Sequence, residues 1–193
     1  PESDLFTDYR EMLKQDELDI VFILTPNYLH SEMAVAAAEA GKHVFVQKPM
    51  ARTPAECDEM IAAARRNRVK LFQSFMHRYF AECLWVREFL GNGGLGDIHM
   101  IRIRNPIPGS SYSTWQFDSE KCGNGGVMID IGVHGVDLIS HMVGEIESLV
   151  HAAGGRNYNE RTVLGEKVSP DNEDWALASY TLKNGAVVSH EMS

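Results

Sequence analysis

The sequence predicts an α/β protein, with parallel βαβ units followed by an α+β part built on a mostly antiparallel sheet. Three observations carry that prediction. Before residue 76, short apolar runs alternate with helix-length segments, the rhythm of a parallel sheet with crossover helices. From about Phe80 the pattern changes to strands of alternating polarity joined by turn signals. Within that second part lies Gly125–Asp137 and its continuation to Val143, apolar on almost every side, which reads as a buried helix. These observations divide the chain into 1–76 and 77–193.

The elements follow in order. Asp8–Gln15 reads as a helix feeding a strand, Asp19–Leu24, whose continuous apolar run is that of a strand buried on both faces. Thr25-Pro26-Asn27 ends it, and an alanine-rich helix runs through Ser31–Ala40 to Gly41, at the position that favours a left-handed residue. Val44–Val46 is a second strand, cut off by Gln47-Lys48-Pro49. Thr53-Pro54-Ala55-Glu56 has the form of a capping box with proline at the first helical position, opening a helix to about Arg66. Val69–Ser74 is the third strand. A helix to Leu90 ends in Gly91-Asn92-Gly93-Gly94, a strand covers Ile98–Arg104, and Asn105–Asn124 is long enough to be a site loop. Strands near Ile146–Ala153 and Trp175–Leu182 follow, and Lys183-Asn184-Gly185 turns the latter into Ala186–His190. Both ends read as cut: the first helix lacks a packing partner and the last hairpin lacks further strands.

Composition narrows the function classes. Of 193 residues 44% are apolar, and the formal charge of −9 argues against a nucleic-acid partner or an anionic membrane surface. Three cysteines without a C-x-x-C pair predict neither a disulfide framework nor structural zinc, which suits a reducing cytoplasm. No apolar run reaches the length of a membrane span.

The chemistry concentrates in two places. Thr25-Pro26-Asn27-x-x-His30, Gln47-Lys48-Pro49 and Phe75-Met76-His77-Arg78 follow three successive parallel strands, and ligands bind outside such carboxyl ends. The alternative roles are ordinary ones: an Asx turn at Asn27, a helix-start His30, a surface Lys48. On an uninterrupted α-helix, Asp130, His134, Asp137 and His141 fall within about 60° of one another. Ionisable groups on a buried helix are costly unless paired or put to use. Lys48 can stabilise a developing alkoxide, and His134, titrating near neutrality, can accept a hydroxyl proton. Asp130 can hold substrate hydroxyls or orient the imidazole. The structural alternative is a satisfied network, with Asp137 paired to an arginine.

Together, Thr25-Pro26-Asn27-x-x-His30, Lys48-Pro49, Trp115 and the series Gly125-Gly126-x-x-x-Asp130-x-Gly132-x-His134-x-x-Asp137-Leu138 resemble the glucose–fructose oxidoreductase/inositol dehydrogenase (Gfo/Idh/MocA) family over nearly the whole chain. The resemblance implies a partial Rossmann domain followed by an α/β substrate domain with an open sheet, incomplete at its end. It implies an NAD(P)-dependent oxidoreductase of sugars, polyols or related carbonyl compounds, cytoplasmic and homo-oligomeric at full length. By motif, Lys48, Asp130 and His134 would be catalytic. Thr25, Pro26, Asn27, His30, Gln47, Lys48, Pro49 and Trp115 would line NAD or NADP. His77, Arg78, Arg102 and Arg104, with Asp130 and His134, would face the substrate. Gln47 replaces the family's usual glutamate and so removes a charge beside Lys48. The family's phosphate loop would precede Pro1. Two alternatives stand beside this reading. One is a non-redox relative, either a nicotinamide-assisted glycosidase or a sugar-sensing regulator. The other is a metal-dependent hydrolase using Asp130, His134 and His141, although the resemblance implies no metal.

Overall fold

The computed structural model describes residues 5–111 and 113–193. The chain forms two compact units, Pro1–Ser74 and Phe75–Ser193.

In the first unit, α1 (Tyr9–Met12) is capped by Asp8, whose carboxylate accepts the Arg10 N–H at 2.9 Å. It is shorter than the sequence suggests, because Lys14 and Gln15 already donate to carbonyls three residues back. Then come β1 (Ile20–Ile23), α2 (His30–Glu39), β2 (His43–Gln47), α3 (Pro54–Asn67) and β3 (Leu71–Ser74). The three strands pair in parallel in the order β1-β2-β3. Their register sets Ile23 beside Val46 and Gln47 beside Ser74, so all three carboxyl ends share one edge. The capping box forms with a variation. Thr53 Oγ1 accepts the Glu56 N–H at 3.2 Å, and the Glu56 carboxylate reaches back past the cap to the N–H of Arg52 at 2.8 Å.

One face of this sheet is core: Val21, Ile23, Val44 and Val46 pack with Ala34, Ala37 and Met60. The other face corrects the expectation of strands buried on both sides. Phe22, Phe45 and Phe72 form a ladder across the three strands, with ring centroids 4.8 and 5.1 Å apart. Phe22 is 61% exposed and Phe72 47%.

In the second unit, α4 (Ala81–Gly91) precedes β4 (Met100–Asn105), and the short α5 (Ser119–Cys122) lies in the expected site loop. A π-helical segment, Met128–Gly132, runs into α6 (Val133–Met142). Next come β5 (Ile146–Gly155), the hairpin β6 (Arg161–Val163) and β7 (Glu166–Val168), then β8 (Trp175–Leu182) and β9 (Val187–Met192). The main sheet has the order β4-β9-β8-β5. Its pairs are antiparallel except β4 with β9, which run parallel. Ala176, Ala178, Tyr180 and Leu182 alternate inward along β8, and Ile139 of α6 joins the core they form with Val188. Among the described residues no helix is long and apolar enough to cross a membrane.

α6 approaches β9 unusually closely at Gly135. A Cβ there would lie 2.7 Å from the ring of His190, itself fully buried. Gly135→Ala is therefore expected to lower stability by about 1–2 kcal/mol, overpacking outweighing the helix-propensity gain. Urea denaturation of the two proteins measures the difference.

Burial also holds the His190 imidazole below its ordinary range and pushes the Tyr180 phenol up to about 12. Protons bind His190 more readily in the unfolded chain, so its contribution is whole above about pH 6.5 and declines as pH falls below that. Tyr180 works in the opposite range: its contribution is whole below about pH 10 and declines as the unfolded phenol ionises above it. His190→Phe is expected to flatten the fall in melting temperature between about pH 6.5 and 5, as scanning calorimetry across that range would show.

Candidate active site

In the first unit the candidate residues gather at the common carboxyl edge of β1–β3. Thr25 and Pro26 are half-buried there, Asn27 is buried, and a 3-10 turn over Asn27–Leu29 leads into α2. Gln47 and Lys48 are half-buried after β2, with the Gln47 side-chain oxygen accepting the Lys48 N–H at 2.9 Å. The Lys48–Pro49 peptide is cis.

His30, expected to line a dinucleotide, opens α2 beside this edge. Its ring is fully buried, and its nitrogens lie 2.8 Å from the Thr25 carbonyl and 2.9 Å from that of Pro49. His30 ties the segment after β1 to the segment after β2 and shapes the edge from behind.

In the second unit the site begins where the chain enters the π turn. Gly126 has φ +37°, and a Cβ on it would collide with the Glu173 carbonyl, which accepts the Val127 N–H at 3.2 Å. This close docking is what the Gly125-Gly126 pair permits. The Val133 N–H then donates to Met128 O, five residues back instead of four. That wider turn slows the rotation of side chains about the axis, and His134, Asp137 and His141 keep their α-helical spacing within α6. Asp130 lines a small pocket of about 50 Å³ with Gln116, Asn172, Glu173 and Arg161. His134 opens instead on a larger cavity of about 490 Å³ shared with His77 and His190.

His134 is 5% exposed and Asp137 7%, deeper than most of the aliphatic residues around them. The Phe75–Arg78 segment holds this helix at three points. Phe75 sets its ring edge on His134, with centroids 6.1 Å apart and planes at 77°. His77 stacks on His134 at 3.8 Å and 16°. Arg78 grips Asp137 with both arms of its guanidinium, Nε donating to Oδ2 at 2.8 Å and Nη2 to Oδ1. Arg78 thereby anchors the helix, and Asp137 has the arginine partner of the paired-network alternative. Arg104 and Arg102 likewise pair with Glu191, at 3.0 and 2.8 Å. Trp115 is half-buried in a 3-10 turn that Asn172 secures by donating to the Gln116 carbonyl at 2.8 Å.

Sequence reasoning missed Asn172, Glu173 and Arg161. They reach the Asp130 pocket from the β6–β8 region, far along the chain, and Asp171-Asn172-Glu173 carries no local signal beyond that of a loop.

Residues 2–75 match the model of an oxidoreductase family with an NAD-binding Rossmann fold, and residues 83–193 match the GFO/IDH/MocA C-terminal domain. The chain belongs to the Gfo/Idh/MocA oxidoreductase family. Similar proteins include levoglucosan dehydrogenase from Pseudarthrobacter phenanthrenivorans, 30% identical over 96% of this chain and 52% of the relative. Another is myo-inositol 2-dehydrogenase from Thermotoga maritima, 28% identical over 94% of the chain and 52% of the relative. A solved structure of levoglucosan dehydrogenase in complex with NADH and L-sorbose superposes with a TM-score of 0.86 at 32% identity, covering 96% of this chain and 50% of that one. The chain thus spans about half the length of these Gfo/Idh/MocA proteins. Its own Gly91-Asn92-Gly93-Gly94-Leu95-Gly96 has the spacing of a phosphate loop but closes α4 instead of linking a strand to a helix, so it is a helix terminator.

Proposed function

We propose that the protein carrying this chain transfers hydride between NAD or NADP and a hydroxyl or carbonyl carbon of a sugar, polyol or related compound. The observation that carries the reading is His134, an imidazole buried on a helix of this family and clamped by Phe75, His77 and, through Asp137, Arg78. Relatives named as dehydrogenases of levoglucosan and myo-inositol, and a solved NADH complex, support the same chemistry.

The donor set at the β1–β3 edge fits a nicotinamide dinucleotide. Thr25, Asn27, Gln47 and Lys48 offer a hydroxyl, two amides and an ammonium, with no carboxylate among them to repel a polyanion. Thr25, Pro26, Asn27, Gln47, Lys48 and Pro49 would hold the dinucleotide, and Trp115 would face its nicotinamide end. The bound dinucleotide supplies the hydride acceptor. His134 takes the proton of the reacting hydroxyl, and the Lys48 ammonium stabilises the oxygen as negative charge develops on it. Asp130 accepts hydrogen bonds from other hydroxyls of the substrate. Protein partners follow from the same reading: a small carbohydrate as substrate and a homo-oligomer at full length.

The test is a panel of sugars and polyols offered to the full-length protein with NAD⁺ and with NADP⁺, followed by absorbance of the reduced nicotinamide. Substrate-dependent reduction is expected. A bound-cofactor spectrum unchanged by every compound that binds would replace this reading with that of a sugar sensor.

A further inference from the structure

We propose that His77 is a positioning residue for His134, whose stacked imidazole fixes the plane of the base. The inference rests on the reading of His134 as proton acceptor and reassigns His77, which the sequence places among substrate contacts.

The geometry is that of a built clamp. The two rings lie face to face, 3.8 Å between centroids and 16° from parallel. His77 occupies a 3-10 turn, Met76–Tyr79, and its ring is braced on the other side by Phe80 at 4.8 Å. The next residue, Arg78, is locked to Asp137, one turn beyond His134 on the same helix. That pair fixes the turn to the helix, and with it the register of one imidazole over the other. The ring edge of Phe75 closes a third side. An imidazole so held cannot swing between rotamers, which is the preorganisation a proton acceptor requires.

The experiment compares wild type, His77→Phe and His77→Ala in the full-length protein by NMR of the histidine rings and by steady-state kinetics. Resonances are assigned through His134→Gln. The phenyl ring preserves the stack, so the ring-current shift of the His134 ring protons is expected to persist in His77→Phe and to be lost in His77→Ala. His77→Ala is expected to lower kcat more than it raises KM, and His77→Phe to restore part of that kcat. A His134 shift unmoved in His77→Ala would overturn the proposal, as would a rise in KM alone, which would make His77 a substrate contact. A ring-current shift lost in His77→Ala without nicotinamide turnover by wild type on any substrate would uphold the histidine pair and refute the redox reading instead.

Discussion

Replacing His134 by alanine in the full-length protein is expected to lower turnover by about 10²–10⁴-fold, the usual worth of a positioned general base. Lys48→Met is expected to fall in the same range, because the methionine keeps the length of the side chain and removes its charge. Both variants should bind reduced nicotinamide with only modest loss. The two effects arise differently, and pH separates them. His134→Ala removes the group that accepts the proton, so rising hydroxide should recover part of its rate. Lys48→Met lacks a stabilising cation at every pH, so its deficit should stay constant. Wild-type turnover in both variants would remove these residues from the chemistry.

Arg78→Met is expected to cost about 2–3 kcal/mol of stability, which calorimetry should register as a fall in melting temperature on the order of 10 °C. The Asp137 side chain is 6% exposed and would be left without the guanidinium that both its oxygens accept from. The figure lies toward the lower end for a broken buried pair, because Arg78 itself is about one third exposed and partly screened. In Arg78→Met combined with Asp137→Leu no charge remains to be buried, so much of the loss should return. Turnover is the more telling readout. The double variant should regain stability without regaining rate, since the turn that carries Phe75 and His77 would no longer be pinned in register with His134.

Much of this fold is legible in the sequence because its signals are local. Thr53, Pro54 and Glu56 mark a helix start, Lys183-Asn184-Gly185 marks a hairpin, and Trp175–Leu182 alternates strictly enough to give both strand and face. What escaped depends on partners distant in sequence or on departures from ideal periods. The β6–β7 hairpin turns at Leu164 and Gly165, both at positive φ, and leucine gives no warning of such a conformation. Phe22 reads as buried because apolar runs in parallel strands usually are, yet it stays 61% exposed beside Phe45 and, beyond it, Phe72. Asp130 and His134 are identifiable as ionisable residues on a buried helix, but not the π turn that leads into His134, since a period of 3.6 cannot register a turn closed over five residues. The arginine that would pair Asp137 could be anticipated as a type. That it is Arg78, 59 positions earlier, required the folded chain.

The π turn at Met128–Gly132 amounts to one surplus residue wound into a helix. Deleting a single residue between Asp130 and His134 would let the segment relax into an ordinary α-helix and leave the two three positions apart, turned about 60° from one another about the axis, while β8, β9 and the Arg78 anchor stayed where they are. One indel would then reset the angle between the carboxylate and the base. Within this architecture, substrate range can change in a single mutational step of length instead of through gradual replacement of side chains.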